Sequence, residues 1–134
     1  MSVIAITGSG SGIGAATAAR LQERGHRVLG VDIKDADIIA DLSQLRASAV
    51  AAVLARCEGK LDGLALCAGL GVVVKPHTKI AAVNYFGVVA LLDGLRAALE
   101  RGSARSAVVV SSVASVQMTW EKNPIGSALE AGDE

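Results

Sequence analysis

Five short apolar runs punctuate the chain: Val3–Thr7 (VIAIT), Arg27–Asp32 (RVLGVD), 37–41 (DIIAD), 61–67 (LDGLALC) and 106–112 (SAVVVSS). They read as continuous apolar runs rather than a strict apolar–polar alternation, and so predict strands buried on both faces. Helical patterns lie between them. Residues 12–24 are alanine-rich and end at Gly25, the position of a C′ glycine. Ser43 is the expected N-cap of a helix reaching about Cys57, with Leu45, Val50, Val53 and Leu54 as its apolar stripe. Residues 79–99 predict a long helix in which Ile80, Val83, Phe86, Val88, Val89, Leu91, Leu92 and Leu95 leave little polar surface on any side. Such a helix is buried on more than one face, so its outer side calls for a neighbouring subunit or more chain. A homo-oligomer, dimer or tetramer, is therefore expected.

Strands alternating with helices predict an α/β fold with a parallel sheet covered on both faces. One connection is short. Only Ile33 to Ala36 separate the second and third runs, whereas a parallel crossover normally takes a dozen residues or more. The expectation is a third strand reached without a covering helix.

Composition narrows the class. A chain of 134 residues with 51% apolar residues makes one domain with a real core, and 2% aromatic residues make that core aliphatic. Thirteen basic and thirteen acidic residues cancel, leaving no electrostatic reason to expect nucleic acid or an anionic membrane as a partner. The first residues lack the basic and apolar regions of a signal peptide, and no uninterrupted apolar run approaches the ~20 residues of a membrane span. Cys57 and Cys67 lie in apolar segments without a pairing pattern, which predicts reduced thiols and a cytoplasmic protein. Neither they nor His26 and His77 have zinc-ligand spacing, so no metal is expected.

The candidate chemistry begins between the first strand and first helix, where Thr7-Gly8-Ser9-Gly10-Ser11-Gly12-Ile13-Gly14 stands. The spacing is not G-x-G-x-x-G, and no Lys-Ser/Thr pair follows to make a P-loop. It fits G-x-x-x-G-x-G through Gly8, Gly12 and Gly14. Glycines there permit a tight turn and close approach of a pyrophosphate, whose charge the helix N-terminus attracts. Asp32 follows Gly8 by 24 residues, at the end of the second strand. An acid about 20 residues beyond the glycines accepts adenosine ribose hydroxyls in dinucleotide folds. Its charge would repel a 2′-phosphate, and no cation in the glycine loop offsets it, so NAD is favoured over NADP. Lys34 softens that preference.

TGSGSGIG resembles the TGxxxGIG fingerprint of the short-chain dehydrogenase/reductase family, and further resemblances follow in that family's order. Asp41-Leu42 matches its adenine-contacting pair. Cys67-Ala68-Gly69 matches its N-A-G, with cysteine in place of asparagine. Asn84 in VNYFG matches its active-site asparagine, and Ser112 in VSS its catalytic serine. The resemblance implies a Rossmann-type doubly wound sheet in strand order 3-2-1-4-5, with helices on both faces. It implies NAD(H) held by Gly8, Ser11, Gly12, Ile13, Gly14, Asp32, Ile33, Asp41, Leu42, Ala68 and Gly69. It further implies hydride transfer between nicotinamide and a secondary alcohol or ketone, with Ser112 on the substrate oxygen and Asn84 holding a proton-relay water. VDIKDADIIADL, LALCAGLG and EKNPIGSALEAGDE resemble the 3α-hydroxysteroid dehydrogenase/carbonyl reductase branch, which carries an insertion after the serine and implies a steroid or ketone substrate.

One departure bears on mechanism. The family's chemistry uses Y-x-x-x-K, in most members with the tyrosine about 13 residues after the serine, as the resemblance implies. Here Ile125 and Leu129 occupy those two positions, and the only tyrosine is Tyr85. In the implied strand order, AVVVSSV would also lie at an unpaired sheet edge, an aggregation hazard. The expectation is a single Rossmann domain, 1–134, forming the N-terminal half of a longer enzyme. The alternative is an NAD-binding module without chemistry.

Overall fold

Strands β1 (Val3–Thr7), β2 (Arg27–Asp32), β3 (Ile38–Ile39), β4 (Gly63–Leu66) and β5 (Ser106–Val109) form one parallel sheet ordered β3-β2-β1-β4-β5. They belong to a computed structural model that describes residues 1–134. β1 is central because its residues are bonded on both sides: Ala5 stands opposite Leu29 of β2 and Leu64 of β4. Helix α1 (Gly12–Glu23) packs on β1 and β2, while α2 (Arg46–Arg56) packs on β2 and β3 and against α4 (Val88–Arg101). This is the expected doubly wound α/β arrangement.

The layer under α2 and α4 is the main core. Ala5, Leu29, Val31, Leu64 and Leu66 of the sheet meet Ala49, Val53, Leu91, Leu95 and Ala98 of the helices, all of them buried. Ile6 is fully buried outside that cluster, as the two-residue period of a strand requires of a side chain turned to the α1 side. Close helix contact depends on Gly94, where a Cβ would lie 2.7 Å from Val50 Cγ1. Any side chain there would push α4 off α2.

The expected third strand 37–41 contracts to Ile38 and Ile39, reached from β2 without a helix. It pairs only with the last two residues of β2, Val31 and Asp32. The chain therefore has to loop back over two residues, not a full strand, and five residues suffice. Strands 61–67 and 106–112 likewise contract to four residues each, although Val110 N–H still donates to Leu66 O at 3.0 Å.

Ser43 does not cap α2. The helix starts at Arg46 with Leu45 at the cap position and no side-chain cap. The Asp41 carboxylate takes both the N–H and the hydroxyl of Ser43, at 2.9 and 2.6 Å. This Asx turn competes with the helix for the serine and delays its start.

The long helix spans Thr78–Arg101 in three parts: α3 (Thr78–Ala81), a π-helical segment (Ala82–Gly87) and α4. It is long and apolar enough by length and composition to cross a bilayer. Its Leu91, Leu95 and Ala98 face is instead buried in the core just described. The outer side of α4 is less apolar than its leucines suggest, because Asp93, Arg96 and Glu100 are exposed there and Arg96 bonds Glu100 at 3.0 Å.

β5 lies at the edge and is exposed along its whole length. Beyond it come 3-10 turns at Val113–Val116 and Trp120–Lys122 and a short helix α5 (Gly126–Ala131), where Trp120 Nε1 donates to Glu130 Oε1 at 2.6 Å.

Candidate functional site

A cleft of about 370 Å³ opens at the C-terminal ends of β1, β2 and β4, where ligands bind in open α/β sheets. All eleven residues expected to hold the cofactor line it: Gly8, Ser11, Gly12, Ile13, Gly14, Asp32, Ile33, Asp41, Leu42, Ala68 and Gly69.

The glycine loop is shaped by backbone demands. Gly8 has φ +70°, donates its N–H to Val31 O at 2.9 Å, and leaves no room for a Cβ, which would lie 2.7 Å from Ala68 N. A Cβ on Gly14 would strike the carbonyl oxygen of Gly8. Gly12 differs. It has φ +54° and open space around its missing side chain, which leaves the backbone approachable from the cleft. The first amides of α1 have no intrahelical acceptor, and Ser11 at the N-cap does not bond them through its side chain. The helix start is thus an uncapped set of donors at the positive end of the macrodipole, suited to an anion such as a pyrophosphate.

Asp32 is held at the end of β2 by two amides: Gly10 N–H donates to Oδ2 at 2.8 Å and Ile33 N–H to Oδ1 at 2.6 Å. Each oxygen keeps acceptor capacity for a ligand hydroxyl. The G-x-x-x-G-x-G spacing passes over Gly10, whose role emerges only from this bond. A Cβ there would lie 2.7 Å from Lys34 O. Lys34 itself is exposed and outside the cleft lining.

Asp41 uses Oδ1 for Ser43 and faces Lys79 Nζ with Oδ2 at 3.5 Å. The Ser43 hydroxyl first, then its N–H and the Lys79 ammonium, hold the Asp41 carboxyl below the usual carboxylate range against a desolvation that opposes them. Lys79 lines the cleft, and nothing in its sequence surroundings marks it. Leu70 and Val83 were also not singled out as site residues and line the same cleft. Exposed Ile13 and Ile33 add apolar surface at the cleft.

The far wall is tied to β1 by Thr7. Its carbonyl accepts from Cys67 N–H at 3.2 Å and its hydroxyl from Ala68 N–H at 3.1 Å. Burial pushes the Cys67 thiol up, so the cysteine standing where the family has asparagine stays neutral. His26 is half-buried and accepts Ser2 N–H on Nδ1 at 3.3 Å, which makes it a turn anchor.

The two expected catalytic residues do not line the cleft. Asn84, in the π-helical segment, clasps Leu70: Oδ1 accepts its N–H at 2.8 Å and Nδ2 donates to its carbonyl at 3.0 Å. Ser112 is exposed beyond β5, and its Oγ accepts Ala114 N–H at 3.2 Å. At the spacing expected of most members of the resembled family for the tyrosine and lysine, Ile125 is half-exposed before α5 and Leu129 is half-buried within it. Tyr85 packs edge-on against Phe86 at 5.2 Å between ring centroids.

An uncapped helix N-terminus, a carboxylate fixed at the end of β2 and a cleft at the ends of parallel strands define a nucleotide-binding Rossmann-type site. The short chain dehydrogenase family model matches residues 2–128, and the chain belongs to that family. It is 50% identical to the 3-alpha-hydroxysteroid dehydrogenase/carbonyl reductase of Comamonas testosteroni over 136 aligned residues, covering 100% of this chain and 53% of that protein. It is 36% identical to the coniferyl-alcohol dehydrogenase of Pseudomonas sp. strain HR199, covering 82% of this chain and 44% of the relative. Among solved structures, the 3-alpha-hydroxysteroid dehydrogenase of Pseudomonas sp. B-0831 complexed with NADH superposes with a TM-score of 0.95 at 55% identity, over 98% of this chain and 53% of that one. The chain thus spans about half the length of the curated relatives it matches.

Proposed function

We propose that the protein is an NAD-dependent oxidoreductase acting on a secondary alcohol or ketone, with the 3-hydroxyl of a steroid as its substrate class. The observation that carries this reading is Asp32, pinned by Gly10 and Ile33 beside the free amides of α1. Acceptors for ribose hydroxyls and donors for a pyrophosphate stand in one cleft. The relatives, a hydroxysteroid dehydrogenase/carbonyl reductase and a hydroxysteroid dehydrogenase complexed with NADH, extend the reading to NADH and a hydroxysteroid.

Bound NAD supplies the hydride-accepting or hydride-donating nicotinamide. Gly8, Ser11, Gly12, Ile13 and Gly14 hold the pyrophosphate, and Asp32 with Ile33 the adenosine ribose. Asp41 and Leu42 meet the adenine, and Ala68-Gly69 border the far side. Ser112 accepts one amide on its oxygen, which leaves its own proton to donate to a substrate oxygen as charge develops. Asn84 fixes Leu70 in the cleft wall and, by resemblance, orients a relay water. The same reading includes a cytoplasmic setting for the two unpaired cysteines and a homo-oligomer.

A second reading is an NAD-binding module without turnover, because these 134 residues contain no Tyr-x-x-x-Lys pair. The two are separated by titrating the full-length protein with NADH and NADPH and assaying 3-ketosteroid reduction. Tight NADH binding with steroid turnover supports the enzyme; binding without turnover supports the module. Asp32→Ala should weaken NADH about tenfold and narrow or reverse its preference over NADPH, since it removes charge-assisted hydrogen bonds to the 2′-hydroxyl and the repulsion of a 2′-phosphate. Absence of NADH binding by the unmodified protein would overturn both.

A further inference from the structure

The guanidinium of Arg46 joins three parts of the chain that no single element connects. Nε donates to Leu42 O at 2.8 Å and Nη2 to Ser43 O at 3.0 Å. The planar fork therefore holds two consecutive carbonyls of the loop that carries Asp41 and Leu42. Nη1 donates to Glu134 Oε2 at 2.7 Å, and Nη2 also pairs with Glu134 Oε1. The guanidinium carbon stands 5.9 Å from the centroid of the Phe86 ring, two residues past Asn84 in the π-helical segment.

Helix α2 does not account for this arginine. Arg46 is its first residue, where a cation opposes the macrodipole and an acid or a cap would be favoured. Its side chain is only 19% exposed, against 41% for Glu134. Hydrogen bonding from Arg46 is the chief reason that the Glu134 carboxyl is held below its usual range. Largely buried, bidentate and bonded on every edge, the guanidinium is in the regime where its removal strands several acceptors at once.

We infer that Arg46 is a positioning residue for the base-binding end of the cleft, fixing the Leu42 and Ser43 carbonyls while Glu134 and Phe86 hold the guanidinium in place. This rests on the nucleotide reading above. The core holds the loop by the side chains of Ala40 and Leu42 and β2 by the Ala40 N–H; of the loop's later polar groups, the Asp41 carbonyl accepts from Gln44 and Leu45 within its own turn, and Lys79 meets the Asp41 side chain across the cleft wall. Arg46 is the group that ties the loop's Leu42 and Ser43 carbonyls, through its own contacts with Glu134 and Phe86, to distant parts of the fold.

The test is calorimetric titration of the protein and of Arg46→Met, Arg46→Lys and Glu134→Gln with AMP, with reduced nicotinamide mononucleotide and with NADH. Arg46→Met keeps the aliphatic stem and loses the fork. It should weaken AMP and NADH about tenfold while leaving the nicotinamide half unchanged. Arg46→Lys should recover only part of the loss, and Glu134→Gln, which keeps one acceptor, should cost about threefold. If Arg46→Met does not fold, the lysine and Glu134→Gln variants carry the same comparison of the two nucleotide halves. Unchanged AMP affinity in the folded variants, or an equal loss for both halves, overturns the inference. If the unmodified protein binds none of the three ligands, the nucleotide reading falls first and this inference falls with it.

Discussion

β1 and β5 are short aliphatic strands of the same parallel sheet, and their surroundings are opposite. Ala5, Ile6 and Thr7 of β1 are 1%, 0% and 2% exposed, whereas Val108 and Val109 of β5 are 60% and 46% exposed. β1 is flanked by β2 and β4; β5 has β4 alone. Apolar composition therefore expresses a demand for burial that sheet position meets in one case and leaves open in the other. Val110, Val113 and Val116 continue the exposed apolar surface beyond β5, a surface prone to association. The contrast extends to the chemistry. Asp32 and Ala68, at the ends of strands flanking β1, are locked by backbone and side-chain bonds. For Ser112, just beyond β5, the side chain engages a single amide two residues on.

The largest test of that contrast compares paired strands. Leu64→Ala in β4 removes a side chain that is 2% exposed and should cost about 3 kcal/mol in urea unfolding. Val108→Ala in β5 should change stability by no more than about 0.5 kcal/mol. Equal losses would mean that β5 is covered in solution.

Asp62 links the two sides. Buried before β4, it accepts Val3 N–H on Oδ2 at 2.8 Å and Ser103 N–H on Oδ1 at 2.7 Å, tying the start of β1 to the approach of β5. Asp62→Ala should cost about 2 kcal/mol by stranding both amides. The Ser103 and Val3 amides, in that order, lower its carboxyl in the folded protein. A depressed folded pKa gives stability that is present above the unfolded value of about 3.9 and lost as pH falls through the folded one. Acid unfolding curves should show this contribution in the wild type and lack it in Asp62→Asn. An unchanged acid limb would remove Asp62 from its bridging role.

The smallest effect belongs to Lys79. Its pair with Asp41 is partly exposed on both sides, and such pairs contribute about 0–1 kcal/mol. Lys79→Met should therefore shift NADH affinity by less than about threefold in a binding titration. A larger loss would show that the ammonium contacts the nucleotide itself.

Much of this site could be read before any folding was considered, because it is local. Glycines at 8, 12 and 14 answer to the geometry of one turn, and Asp32 to the length of one helix and one strand. All of them meet in the cleft. Gly10, Lys79 and Arg46 do not stand out in the sequence as site residues, and Thr7 does so only as part of the loop motif, because each meets a partner distant in sequence. Gly10 reaches Asp32, Thr7 reaches Ala68, Lys79 reaches Asp41, and Arg46 reaches Glu134. Ser43 fits a cap in the sequence because a helix N-cap and an Asx-turn partner use the same residue type, and only the competing Asp41 carboxylate decides between them.

By itself the sequence determined the order of the five strands and three main helices, the aliphatic core and the glycine turn, since these follow from periodicity and from backbone freedom at single residues. Tertiary structure decided how many residues of each apolar run become strand, because that depends on the partner strand's length. It likewise decided that β1 is sealed while β5 is open, that distant residues hold Arg46 and that Asp62 joins distant segments. Hydrogen bonding across the sheet and between segments sets these outcomes, and no window of neighbouring residues contains it.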